Sequence, residues 1–326
     1  MSIGNAALGV HVFFVISGFL ITTLLLREHE ATGRISLKGF YIRRAWRILP
    51  AYYFYLVVIL ALAAAGALKL TPAAFASAAL FLWDYWPQAD AWFLAHLWSL
   101  AVEEQFYLLW PAVLLWALRR GGRRFAFCVA LGVIVASPLV RALTYLMSTT
   151  LSGHVYYLFH TRADALMFGA LGALGAGTAP LERAYAATSR YAWAAALFLL
   201  TISPLLSAAF RGGYLYTVGY TLEGAAILLV LLWVSRNPAG VAGRLLNSRP
   251  AVQVGVMSYS IYLWQTLFLE AGTRSLTGAT PLVAGATPFN LLCIAALSTV
   301  SFYLVERTFL RVRDSVTPPA SSSAGK

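Results

Sequence analysis

The chain has 326 residues, 60% of them hydrophobic and 11% charged; soluble domains carry about 25% charged residues, so the composition excludes an ordinary globular domain and points to a multi-span membrane protein. The net charge of +12 resides largely in short loops between apolar runs, the pattern of cytoplasmic loops rather than of a nucleic-acid-binding surface. The opening MSIGNAALGV has no basic n-region and so does not read as a signal peptide. Cys128 and Cys293 stand alone in apolar segments, with no metal-site or disulfide spacing, and read as small core residues.

Apolar runs of spanning length, about 20 residues, fall at roughly 10–26, 50–68, 95–118, 125–147, 155–176, 192–210, 214–234, 255–272 and 284–306. Pro50 opens the second of these as an N-terminal helix proline. A shorter run, 72–86, neighbours Asp84, Pro87 and Asp90 and reads as a half-buried or surface segment. The arginines gather between runs: Arg27 to Arg47, Arg119 to Arg124, Arg183 and Arg190, Arg236 to Arg249, and Arg307 to Arg313. If every such loop is cytoplasmic, an even number of spans must separate each pair. Leaving 72–86 out of the membrane satisfies that parity, with Asp84, Asp90 and 148–154 on the outer side. The expected fold is therefore an all-α, polytopic transmembrane bundle over 1–313 with nine spans, beginning outside and ending inside. A Pro/Ser-rich cytoplasmic tail, 314–326, is expected to be disordered.

Polar residues inside those runs carry the chemistry, because an ionised side chain mid-membrane costs roughly 2.5–3.5 kcal/mol on insertion scales. They are His11, His96, Glu103, Glu104, His160, Arg162, Asp164, Glu223 and Glu270. In HLWSLAVEEQFYLLWP, His96, Ser99 and Glu103 recur at i, i+3 and i+7 and share a face, while Glu104 turns about 100° away, with Leu100 and Tyr107. One glutamate can line a cavity while the other pairs structurally; the spacing does not say which. Ser99 lies between histidine and glutamate along this helix, whereas a triad needs the imidazole in the middle, so a buried acid–base or hydrogen-bonding role for Glu103 or Glu104 is the stronger reading. In FYIRRAWRILPAYY, Arg44 and Arg47 project from one side of a helix at the membrane surface. They suit either a bidentate phosphate clamp or headgroup anchoring. Arg162 and Asp164 are two residues apart and cannot face each other, so each is expected to pair with another helix, with the following Gly/Ala run giving close packing.

The stretches GVHVFFVISGFLITTLLLRE, FYIRRAWRILPAYY, HLWSLAVEEQFYLLWP, RADALMFGALG, SYSIYLWQ and SFYLVERTFLR together resemble the acyltransferase-3 family, integral membrane enzymes that acylate carbohydrates. The resemblance runs in family order from Gly9 to about Arg313. It implies ten helices, a cytoplasmic acyl-CoA donor, an acceptor sugar across the membrane, and an Arg-x-x-Arg motif, here Arg44 and Arg47, that serves the donor. It also implies a first helix bearing a basic residue and a catalytic histidine; this chain is expected to lack that helix, through either a start site placed too late or a truncation. His11 falls where the family often has aspartate or histidine, Gln265 where many relatives have histidine, and Thr308 where proline is usual.

Motifs and resemblance together point to an O-acyltransferase, O-acetyl in the first instance, with acetyl-CoA as donor substrate and no tightly bound cofactor or metal. The acceptor would be an envelope polysaccharide or glycolipid such as lipopolysaccharide, in a bacterial inner membrane with its lipids as surroundings. The candidate catalytic residues are Glu103, Glu104, His11 and His96; Arg44 and Arg47 would bind donor, with Ser99, Arg162, Asp164 and Gln265 in support. The alternative is a non-catalytic transporter of an acyl or lipid-linked group, or an inactive relative. A pore finds no ring-forming repeat.

Overall fold

In the hydrocarbon of a bilayer every backbone polar group must find its partner within the chain, which leaves helices for sequences of this kind. The computed structural model describes residues 3–87, 90–147, 157–210, 213–269 and 287–316, and these hold helices and turns but no strand. In chain order the α-helices are α1 (Ile3–Thr32), α2 (Leu37–Ala64), α3 (Pro72–Ala79), α4 (Leu97–Met147), α5 (Phe159–Gly175), α6 (Ala179–Thr188), α7 (Ala192–Leu197), α8 (Ser203–Ala209), α9 (Tyr220–Arg236), α10 (Val241–Leu246), α11 (Arg249–Leu269), α12 (Thr287–Ser301) and α13 (Arg307–Val316). Single π-helical turns join α7 to α8, lead into α9, and join α12 to α13 at Phe302–Glu306.

Among the described residues six segments are long and apolar enough to cross a membrane: Leu8–Thr32, Leu37–Ala64, Trp92–Met147, Ala179–Ala209, Leu215–Arg236 and Phe289–Arg313. Two of the runs expected as separate spans, 95–118 and 125–147, lie in the single segment Trp92–Met147. It is broken at Gly121 (φ −157°, ψ 22°) and Gly122 (φ 65°, ψ −162°), between the paired arginines. Gly122 sits in a left-handed region that a side chain would strain. The runs at 155–176 and 255–272 become α5 and α11, neither of them among the six. α5 is only 17 residues long and nearly all of it is buried by neighbouring helices, and α11 carries polar residues such as Gln253, Ser258, Ser260 and Gln265.

Three local expectations are corrected by the structure. α2 starts at Leu37, with Ser36 accepting from the Gly39 amide at 3.2 Å, and Pro50 lies inside it rather than at its start. The proline removes one backbone donor and the helix carries through. Cys128 is exposed, not a core residue; a helix that meets lipid can turn a small apolar side chain outward. α13 runs to Val316, into the stretch assigned from sequence to the tail. Residues 148–156, Glu270 and 317–326 lie outside the described residues.

The chain divides into two compact units. The first, from Met1–Ile35 and Val102–Leu246, is built around α1 against α5. There the two backbones touch: a Cβ on Gly18 would overlap the Leu166 carbonyl, and one on Gly169 would overlap the Val15 carbonyl and the Phe19 amide. This is small-residue packing of the kind the Gly/Ala run predicts, with Gly18 as the partner on α1. Arg123 closes the far end of α5, donating from Nε to the Leu174 carbonyl (2.6 Å) and from one Nη to the carbonyls of Ala173 (3.0 Å) and Ala176 (2.8 Å). A cation so placed satisfies the orphan carbonyls and opposes the negative helix end.

The second unit comprises Ser36–Ala101 and Asn247–Lys326. Tyr52 and Tyr53 of α2 donate to the carbonyls of Ala78 (2.8 Å) and Ala79 (3.0 Å), pinning the end of α3. α3 is eight residues long, about 12 Å, too short to span, as the sequence suggests. Asp84, just beyond it, is fully buried.

Candidate functional site

Within the first unit, α1 presents three buried polar side chains, and each finds a partner on a neighbouring helix. His11 Nδ1 lies 3.0 Å from Glu223 Oε2 on α9, and the other carboxylate oxygen accepts from Ser203 Oγ at 2.5 Å. His11 and Ser203 are fully buried and Glu223 almost so. Glu103 on α4 accepts from the hydroxyls of Ser17 and Tyr107, and Trp110 Nε1 donates to Thr22 Oγ1 at 2.8 Å. A carboxylate bonded to an imidazole nitrogen fixes ring orientation and tautomer, and it favours an Nδ1 proton with Nε2 as the basic position. His11 Nε2 is buried, and among the described residues nothing hydrogen-bonds to it.

The adjacent glutamates separate here: Glu103 is buried, Glu104 half-buried. The expected grouping of Tyr107 with Glu104 is corrected, because the Tyr107 hydroxyl reaches Glu103. On an ideal helix i and i+4 diverge by about 40°, whereas i and i+3 diverge by about 60°. His160, counted among the intramembrane groups, is exposed near the start of α5.

Arg162 and Asp164 do find other helices, as their spacing requires. Asp164 Oδ2 accepts from Arg141 Nη1 (2.8 Å) and Thr221 Oγ1 (2.7 Å), while Oδ1 accepts from the Ala165 amide (3.0 Å). Arg141 also donates to the carbonyls of Thr161 (2.8 Å) and Thr217 (3.2 Å) and to the Thr221 hydroxyl. The Arg162 guanidinium lies over the Tyr220 ring, 3.8 Å from its centroid, a cation–π geometry that gains strength away from water. Arg141 is absent from the candidates read off the sequence. It sits inside the apolar run SPLVRALTYL, and an arginine there is itself the signal.

In the second unit Arg44 and Arg47 stand one turn apart on α2, ahead of the apolar part of that helix; Arg44 lies 6.0 Å from the Phe40 centroid and Arg47 is exposed. His96 precedes α4 instead of riding on it, since a 3-10 turn at Trp92–Leu94 delays the helix until Leu97, so the shared face expected with Ser99 and Glu103 does not include it. Its ring meets Tyr55 and Tyr262 edge-on at 5.6 and 5.4 Å. Its carbonyl accepts from Ser99 Oγ (3.2 Å) and Tyr262 Oη (2.9 Å), and those two hydroxyls also bond to each other. Ser99 therefore ties the start of α4 to α11. Gln265 is half-buried on α11. Ser260 on α11 donates to Glu306 at 2.9 Å; Glu306 is a further buried carboxylate, also absent from the sequence-derived candidates.

All-helical, with several membrane-length apolar segments and with ionisable groups held inside by hydrogen bonds, the chain is in the class of integral membrane proteins with a polar interior. It belongs to the acyltransferase-3 family: the family's acyltransferase domain matches residues 2–307. The peptidoglycan O-acetyltransferase OatA of Listeria monocytogenes is 30% identical over 327 residues, covering 92% of this chain and 50% of that protein. The O-acetyltransferase OatA of Staphylococcus aureus is 28% identical over 322 residues, 92% of this chain and 52% of its own length. A putative O-acetyltransferase of S. aureus strain COL is 31% identical over 275 residues, 79% of this chain and 45% of its own. The chain thus spans about half the length of the curated relatives it matches. No solved structure matches it.

Proposed function

We propose that the chain is a membrane O-acyltransferase that moves an acetyl group from acetyl-CoA to a hydroxyl of an envelope carbohydrate. The observation that carries the donor assignment is the Arg44–Arg47 pair, one turn apart on α2 at the head of a membrane-length apolar segment, in a chain of this family. Two guanidiniums so spaced match the pyrophosphate and 3′-phosphate of CoA. Acyl-CoA is a substrate, and the chemistry needs no resident cofactor or metal.

His11, oriented by Glu223, is the first candidate for the base that takes the proton of the attacking sugar hydroxyl. As that O–H bond breaks, the oxygen bonds to the thioester carbonyl carbon; collapse of the adduct breaks the C–S bond, and CoA leaves as the thiol after taking up a proton. Glu103, Glu104 and His96 are the other candidates for work at the reacting groups. Arg162 and Asp164 support the framework of the first unit, and Ser99 and Gln265 that of the second. The relative's name, peptidoglycan O-acetyltransferase, supports a cell-wall glycan as acceptor before a lipopolysaccharide or lipid-linked one.

The topology proposed with it has nine crossings and arginine-rich cytoplasmic loops in a bacterial inner membrane, over a membrane domain of 1–313 and a cytoplasmic tail of 314–326. The glycine break between Arg119–Arg120 and Arg123–Arg124 supports treating Trp92–Met147 as two crossings. The test is thiol release from acetyl-CoA by the purified chain in liposomes, with and without peptidoglycan fragments. Release should depend on the acceptor and be lost in Arg47→Ala; release indifferent to that substitution would rule out the clamp.

A further inference from the structure

Arg47 is held by its neighbours on both sides in sequence. Trp46 stacks on Phe309 of α13, with centroids 5.7 Å apart and planes at 26°. On the other side the Ile48 carbonyl accepts from the Tyr259 hydroxyl of α11 at 3.0 Å. The residue next to Tyr259 is Ser260, whose hydroxyl donates to Glu306 Oε2 at 2.9 Å, and Glu306 lies three residues before Phe309. The two contacts flanking Arg47 thus reach two elements that are themselves joined by the Ser260–Glu306 bond, and α2 packs directly against the Phe302–Glu306 turn. All of these residues belong to the second unit. Glu306 ends a π-helical turn, Phe302–Glu306, whose extra residue re-aims the helix beyond it, a feature frequent at functional sites.

We propose that Glu306, itself oriented by Ser260, is a positioning residue that sets the Arg47 guanidinium for the phosphates of the donor. The proposal rests on the donor-clamp reading above. Its physical basis is the asymmetry of the pair: Glu306 is 4% exposed and Arg47 is exposed. A buried acceptor with a fixed hydrogen bond can orient a long cationic side chain toward solvent-borne phosphate, sparing it the search over rotamers at each binding event. Arg44, three residues earlier, lies beside Phe40, and the effect of Glu306 is assigned to Arg47.

The experiment measures CoA binding to the full chain in lipid nanodiscs, using CoA and pantetheine (the same thiol arm without phosphates), for wild type, Glu306→Gln, Glu306→Asp, Ser260→Ala and Arg47→Ala. Glu306→Gln is expected to weaken CoA binding roughly tenfold, the scale of one charge-assisted contact, without changing pantetheine binding, and Glu306→Asp should recover part of the loss. In turnover the same substitution should raise KM for acetyl-CoA and leave kcat within about twofold, a uniform-binding defect. Ser260→Ala, a milder change, should move CoA affinity in the same direction. The proposal is overturned if Glu306→Gln leaves CoA affinity unchanged while Arg47→Ala lowers it, since the clamp then works without this carboxylate. It is overturned too if CoA and pantetheine weaken equally, which marks a packing role. If Arg47→Ala itself does not separate CoA from pantetheine, the clamp reading has failed first.

Discussion

Removing the Asp164 carboxylate should be among the most damaging single changes in the first unit. Asp164 and Arg141 are both fully buried and 2.8 Å apart. In Asp164→Ala, Arg141 keeps neutral partners, the carbonyls of Thr161 and Thr217 and the Thr221 hydroxyl. An uncompensated buried charge of this kind costs about 3–5 kcal/mol. Thr221→Ala removes hydrogen bonds to Asp164 and Arg141 but leaves the ion pair in place, and should cost less, about 0.6–1.7 kcal/mol, the range for side-chain bonds inside membrane proteins. The double variant Arg141→Met/Asp164→Leu should return close to wild-type stability, because an apolar pair of similar volume escapes the desolvation penalty. Reversible unfolding in mixed SDS and dodecylmaltoside micelles, followed by circular dichroism, gives each free energy and the coupling. A double variant as unstable as the sum of its single changes would refute the reasoning, since the pair would then not be coupled.

Close contacts elsewhere set further expectations. Gly169→Val should lower stability by about 1–3 kcal/mol, the usual cost of overpacking, because the backbone of α1 is what the new side chain would meet; Gly132→Ala, where a Cβ has open space, should be neutral or slightly stabilising in the same unfolding assay. Glu103→Ala should unfold at markedly lower SDS fraction than Glu104→Ala, since Glu103 is the buried member bonded to two hydroxyls; equal losses would contradict that separation. Glu223→Ala should lower kcat for acetyl transfer by about 10²-fold, within the general acid–base range, whereas Ser203→Ala should lower it less. An unchanged kcat in Glu223→Ala would dismiss His11 as an oriented base.

Much of the fold and of the candidate site is legible in the chain because polar residues in a lipid-facing sequence are few, so each stands out. His11, Glu103, Glu223, Arg162 and Asp164 can be picked from the apolar runs by that contrast alone, and the Gly/Ala run of α5 announces tight packing. Which helix supplies each partner is not written locally. The pairing of His11 with Glu223 spans more than two hundred residues, and no short-range spacing encodes it. Glu306 escapes the same contrast because it sits at the end of a run, where a charge reads as loop; Arg141 lies inside the run 125–147, where the contrast applies to it equally. Helix ends mislead where local rules compete: Pro50 looks like a helix start, yet the cap at Ser36 and the apolar packing of α2 override it. Periodicity is equally silent on whether an apolar stretch faces lipid or, like α5, is wrapped by protein.

Transfer of an acetyl group from a donor thioester to a glycan is the central claim, and it is tested most directly in sealed proteoliposomes containing the full chain. With acetyl-CoA labelled in the acetyl group on one side and peptidoglycan fragments on the other, labelled O-acetyl ester should appear on the glycan with one CoA thiol released per ester. Esters should be absent in Arg47→Ala. Acetyl-CoA consumed without ester formation, or no consumption in the presence of any envelope glycan, would contradict the claim.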